Sequence, residues 1–271
     1  MPAATIATGL FTSAAAGILA ALFLLPFAEL RRFFFAFNAG IALAFLALAQ
    51  PLRRASVPDL AGGPDAPAGP ADMLALAGIA LCVLYIAALY LPARSPRRGL
   101  LAGASLAAAA ATAVEGWATA RSGQPAWIHA AGALAAAALL GAVIVAMILG
   151  HWYLVRSRLS EVHLVRFARL LGGTIGIRVA LIAAGLLVVG AASPAGLAGH
   201  LHEVAVDRGF FFWSRIGLGL VGPAVFAWMV HETARIRSTQ SATGILYIGV
   251  IFVLMGEFLG RYLAVAGSGP M

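Results

Sequence analysis

Apolar residues run along this chain in eight long blocks, separated by shorter stretches that hold most of its arginines. A bilayer-spanning helix needs about 20 predominantly apolar residues. The blocks at residues 5–28, 33–52, 73–91, 99–120, 127–150, 171–192, 209–230 and 241–266 meet that length. None shows the period-2 alternation of an outer-membrane strand, which argues against a β-barrel. The pattern predicts an all-α polytopic membrane protein, an eight-helix transmembrane bundle forming one integral membrane domain over residues 1–271. No basic residue precedes the first block, so it is expected to be a span rather than a secretory leader. The one long connection, residues 53–71, is rich in Pro, Gly and Asp and reads as an exposed loop. Blocks four and five are dense in Ala and Gly, which either marks interior helices whose backbones approach closely in lipid or reflects an alanine-rich genome.

Composition removes the competing classes. The chain is 62% hydrophobic and 10% charged, with a mean hydropathy of +0.96. Soluble domains carry roughly 25% charged residues, and disordered chains are more polar still. The net charge of +8 comes from 18 basic and 10 acidic residues, and every basic residue is Arg. In a soluble protein that balance would suggest nucleic acid. Here the arginines mark topology and no nucleic-acid partner is expected; the partner surface is membrane lipid. Connections 1–2, 3–4, 5–6 and 7–8 hold eleven of them, from Arg31 to Arg237, whereas connections 2–3, 4–5 and 6–7 hold four: Arg53, Arg54, Arg121 and Arg208. By the positive-inside rule both termini are periplasmic. Heavy use of Ala, Gly and Arg without Lys points to a high-GC bacterial genome, hence a multi-pass inner (cytoplasmic) membrane protein. The single cysteine, Cys82, excludes disulfides, zinc knuckles and iron–sulfur ligation within the chain, and no metal site is expected.

An ionisable residue inside a span costs about 2.5–3.5 kcal/mol on insertion scales, so it needs a partner or a task. With this orientation Glu115, His129, Arg215, Glu257 and Arg261 fall at similar depth beneath the outer surface, from four different spans. The aromatic residues Trp117 and Trp127 lie near them, and His200, His202 and Glu203 lie above. Glu257 and Arg261 are four residues apart and can pair on one helix face. Such a cluster either holds helices together or receives a ligand that needs proton acceptors and donors in an apolar slot. A quinone head group, menaquinone or ubiquinone, fits the second reading, because quinol oxidation releases two protons that a carboxylate or His must take. A second polar set, with His151, Trp152, Tyr153, Arg156, His231, Glu232 and Arg178, is expected near the inner surface. There Arg178 would pair with Glu232, meet a partner or lipid phosphate, or snorkel to the interface.

The histidines open a rival chemistry. His151 and His231 could ligate a haem b near the inner face, and His129 with His200 or His202 another near the outer face, making a b-type cytochrome subunit. Gly172, Gly173, Gly217 and Gly222 read as helix-packing positions rather than a phosphate loop. No nucleophile arrangement is supported. No broken, inverted-repeat pattern favours a transporter, which together with an assembly factor is the remaining class. Pro223 could kink span seven.

The last two spans resemble a family. Phe212-Trp213-Ser214-Arg215-Ile216, then Pro223, then Leu254-Met255-Gly256-Glu257-Phe258-Leu259-Gly260-Arg261-Tyr262 is similar to the C-terminal helix pair in the membrane anchor of dimethyl sulfoxide reductase, within the NrfD/polysulfide-reductase membrane subunits. Eight spans with both termini outside match the same family. The resemblance implies a haem-free, quinone-reactive electron-transfer subunit of an oxidoreductase in a respiratory chain. It would bind an iron–sulfur protein that serves a molybdopterin catalytic subunit. It also implies Glu257 as proton acceptor, with Arg215 and Arg261 as charge partners or head-group donors. Trp213 belongs to the same motif, while His129 and Glu115 join the expected quinone site by depth alone.

Overall fold

The structure, a computed structural model, describes residues 2–56, 69–92, 96–120, 124–155, 160–193 and 195–266. Among them there is no strand, and eight helices are long and apolar enough to cross a membrane. The helices are α1 (Pro2–Ala21), extended by a 3₁₀ turn at Leu22–Leu24, α2 (Arg32–Ser56), α3 (Pro70–Tyr90), α4 (Arg97–Ala118), α5 (Ala126–Val155) and α6 (Val162–Ala192). A short α7 (Gly196–His202) follows. The seventh span is built from α8 (Gly209–Ile216) and α9 (Gly222–Arg235), and the eighth is α10 (Thr239–Ala266).

The centre of the bundle is α5, which packs against α1, α4, α6 and α10. Its Ala- and Gly-rich sequence explains why: small side chains let four neighbours reach its backbone. The closest approach is to α1, where a Cβ built on Gly17 would stand 1.8 Å from the Ala137 carbonyl oxygen. One built on Gly141 would stand 2.0 Å from the Gly17 carbonyl carbon. The interior reading holds for α5, whereas α4 is more exposed than α1 despite its alanines. Gly172, Gly173 and Gly217 have open space around them and are not packing positions; Gly222 is one, set against Phe252.

Several boundaries differ from the sequence expectation, among them those of the first, second and sixth spans. The first span ends at Leu24, just ahead of Pro26. Helix α2 continues through Arg53 to Ser56, so the start of the expected loop is helical; residues 57–68 lie outside the described residues. Helix α6 begins at Val162, nine residues before the apolar block. Its first turns carry His163, Arg166 and Arg169, which interrupt the hydropathy, yet His163, Leu164, Phe167, Ala168 and Leu171 are buried at helical spacing.

The seventh span is interrupted by a π-helical turn at Gly217–Val221, directly before Pro223. A proline ring clashes with the carbonyl four residues back, here that of Gly219, and cannot donate to it. Widening one turn of the helix removes both difficulties. The turn also presents Gly219 to Gly256 of α10, where a Cβ built on Gly256 would stand 2.2 Å from the Gly219 Cα.

Candidate functional site

Four of the expected site residues, Glu257, Arg215, Arg261 and His129, converge near the end of the bundle that carries both chain termini. Each element contributes one face. On α10 Glu257, Gly260, Arg261 and Ala264 follow i, i+3, i+4, i+7 spacing, and on α5 His129, Gly132, Ala133 and Ala136 do the same. Helix α6 adds Arg178, Leu181 and Ile182, and the ends of α1 and α4 complete the wall with Thr5, Ile6, Gly116 and Thr119.

Glu257 is 1% exposed and Arg215 is fully buried. The Glu257 carboxylate accepts from Arg178 Nη2 through both oxygens, at 2.9 and 2.8 Å, and Arg215 Nη2 donates to Oε1 at 3.2 Å. Arg178 Nη1 donates to the Gly132 carbonyl of α5 at 2.8 Å. The Gly219–Gly256 contact makes the Arg215 pairing possible, since a Cβ at Gly219 would stand 1.8 Å from Arg215 Nη1. Thus the seventh and eighth spans meet at one ion pair.

The structure corrects two pairings. Glu257 takes Arg178 and Arg215 as its ion partners, not Arg261 on its own helix. Arg261 instead reaches across to α1 and donates to Ser13 Oγ at 2.5 Å, its guanidinium lying over Gly9. Arg178 does not pair with Glu232 near the opposite surface; Glu232 pairs with Arg235. The early start of α6 puts Arg178 in the middle of a 31-residue helix, level with Glu257.

His129, 4% exposed, faces the same cavity, and its protonation pattern follows from its neighbours. Thr119 has a single hydroxyl proton and donates it to the Gly116 carbonyl at 2.7 Å. His129 Nδ1 lies 3.2 Å from the Thr119 oxygen, so in the neutral ring Nδ1 carries the hydrogen and donates it there. The other nitrogen, Nε2, is then a bare acceptor, buried and without a hydrogen-bond partner among the described residues. Arg215 Nη1 and Arg261 Nε are buried donors equally lacking an acceptor among them. The network therefore offers more donors than it satisfies, with one free acceptor on the cavity wall.

The cavity holds about 60 Å³. That accommodates several waters, at roughly 10–15 Å³ each, but it is well under the roughly 150 Å³ in which an enclosed apolar cavity binds benzene. An aromatic head group would need the walls to part; the polar groups suit one, and the resting volume does not.

The remaining expected residues lie elsewhere. Glu115 belongs to a neighbouring network in which Arg53 Nε donates to it at 3.0 Å and Nη2 makes a second, shorter bond. Arg53 also pairs with Asp72 at 3.3 Å and donates to Thr12 Oγ1 at 3.0 Å, tying α1, α2, α3 and α4 together. Trp213 is on the exposed surface of α8, its Nε1 donating to the Ala205 carbonyl, and with Trp117 and Trp127 it belongs to an outward-facing aromatic band. His151 is exposed at the opposite end with Tyr247 Oη 3.1 Å from its Nδ1, and His231 is half-buried. His200 is buried against Gly190 at the end of α6. Thr119 and Ser13, each bonded to a site residue, were not anticipated; small hydroxyl residues among alanines carry no distinguishing pattern.

Comparison with protein-family models, with curated proteins and with solved structures gives no match to this chain.

Proposed function

We propose that this chain is a quinol- or quinone-handling subunit of a bacterial inner-membrane oxidoreductase, exchanging electrons with an iron–sulfur partner that serves a catalytic subunit. The observation that carries the reading is the bare Nε2 of His129 beside the Arg178–Glu257–Arg215 network and Arg261, on one cavity at membrane depth. A bound quinol supplies two electrons and two protons.

In this reading His129 is the proton acceptor. It takes a proton at Nε2 from the cavity and releases one from Nδ1 towards Thr119, which stands at the C-terminal end of α4. Each relay leaves the hydrogen on Nε2, so the ring must flip to restore the bare acceptor before the second proton is taken; the two protons therefore leave one after the other. Glu257 serves as an anchor: its lone pairs are engaged by Arg178 and Arg215, so it fixes the guanidinium groups instead of acting as a free base. Arg261, with a buried donor to spare, is suited to hold a ring oxygen. Its long side chain, whose one hydrogen bond among the described residues is to Ser13, is also the group best able to swing and admit the ring.

The test is purification of the intact complex from membranes in mild detergent, with quinone extraction, an optical spectrum and quinol-oxidation assays. Expected are co-extracted quinone and an iron–sulfur partner. His129→Leu, which removes the acceptor but keeps an apolar fill, lowers quinol oxidation by about 10²–10⁴-fold with the complex intact. Unchanged turnover in that variant overturns the assignment. A haem Soret band lost in His151→Ala or His231→Ala would establish a b-type cytochrome instead.

A further inference from the structure

At the end of the bundle opposite the termini, the first turns of α6 and the α9–α10 turn enclose a groove of about 410 Å³. Four arginines face it, Arg166 and Arg169 from α6 and Arg235 and Arg237 from the turn, and Glu161 is the carboxylate on its wall. Glu161 pairs with Arg237 at 3.4 Å and Glu232, nearby, pairs with Arg235 at 3.3 Å. Arg166 donates to the Leu24 carbonyl at 3.3 Å, and Arg169 makes no ion pair among the described residues. Two cations therefore stand in excess around one concave surface.

Topology alone asks for arginines near this end, not for a convergent set. The backbone at Arg237 indicates more than a topology signal. It has φ +62°, the one positive φ outside glycine among the described residues. It occupies the position after α9 where a left-handed residue closes the helix, with its N–H bonded to the Ala234 carbonyl at 3.1 Å. Glycine is the ordinary occupant there because it has no Cβ to strain. An arginine in that position accepts backbone strain and places a guanidinium over the groove.

The lip of the groove is apolar. Val162 is 57% exposed and Ile236 is 76% exposed, each adjacent in sequence to a groove residue and at the level where the apolar helix faces begin. A guanidinium fork matches phosphate oxygens in pairs, which an ammonium group does not. From these features together we infer that the groove binds the phosphate head group of an anionic phospholipid of the arginine-rich, cytoplasm-facing leaflet, with its chains against Val162 and Ile236. Basic pockets between helices on that side suit such head groups. This site lies at the other end of the bundle from the His129 cavity and does not depend on the function proposed for it.

The purified chain is reconstituted into nanodiscs of phosphatidylcholine with and without phosphatidylglycerol, and tightly held lipid is counted by native mass spectrometry. Phosphatidylglycerol is expected to be retained on the wild type. Retention falls at least tenfold in Arg166→Gln/Arg169→Gln and stays unchanged in Arg31→Gln/Arg32→Gln, two exposed arginines of the same end that lie outside the groove. Arg237→Gly loses retention while melting at the same temperature or higher, which separates loss of a ligand contact from loss of fold. Equal retention in all variants, thermal stabilisation by inorganic phosphate matching that by the lipid, or an acidic protein held by the same arginines in place of lipid would each overturn the assignment.

Discussion

A charged side chain is costly to hold inside a bilayer, and this protein concentrates Arg178, Arg215 and Arg261 around a single Glu257. Removing one partner of a buried ion pair typically costs about 3–5 kcal/mol, because the remaining charge is left uncompensated. Glu257→Gln leaves two guanidinium groups in that state, so the variant is expected to unfold at markedly lower temperature in detergent; an unchanged melting curve would show that other anions compensate. Glu257, Arg215, Arg261 and His129 were legible from depth, in a set that also held Glu115. Arg178 was not, because His163, Arg166 and Arg169 conceal the first turns of α6 and shift its apparent depth by nine residues. Glu115 shares the depth but is engaged by Arg53, a residue that sequence assigned to a loop. Depth fixes a level in the membrane, whereas direction around the helix axis decides which neighbour is met. For Trp213 that direction is outward.

At the scale of elements, small residues act where backbone meets backbone. A Cβ at Gly141 would sit 2.0 Å from the Gly17 backbone, which cannot rotate aside as a side chain can. Gly141→Ala is expected to destabilise by at least the 1–3 kcal/mol usual for overpacking. Gly172→Ala, with nothing within 4 Å of the added methyl, should be neutral or stabilising by about 0.5–1 kcal/mol through helix propensity. A reversed order of the two in thermal denaturation would mean that the α1–α5 contact is not what holds the core. Composition marked α4 and α5 alike, since both are rich in alanine. Only the partners separate them: α5 packs against four other spans, and α4 leaves much of its surface outward. The π turn before Pro223 was visible only as a potential kink. Its function in bringing Gly219 onto Gly256 depends on which helix stands opposite, a fact that no local pattern contains.

For the whole molecule, the even number of spans and the joint placement of Thr5, Ile6, Ala264 and Val265 on one cavity put both ends of the described chain on one side. By the positive-inside rule that side is expected to face the periplasm. With Cys82 buried as the single native thiol, the assignment can be tested by single introduced cysteines. Gln124→Cys, between α4 and α5, is expected to react with a membrane-impermeant maleimide added outside intact cells, and Ser238→Cys, between α9 and α10, only after permeabilisation. The opposite labelling would invert the topology. The count of spans was legible because hydrophobic length is a one-dimensional property. The convergence of α1, α5, α6 and α10 on one cavity was not, because helix order around a bundle is set by packing.

The glycine contact between α1 and α5 has a consequence for biogenesis. While a ribosome has delivered only the first four helices, the earliest one has a groove of exposed backbone and no helix to fill it. Its final mate is still being translated, so the nascent chain must be sheltered at the translocon until that fifth segment arrives.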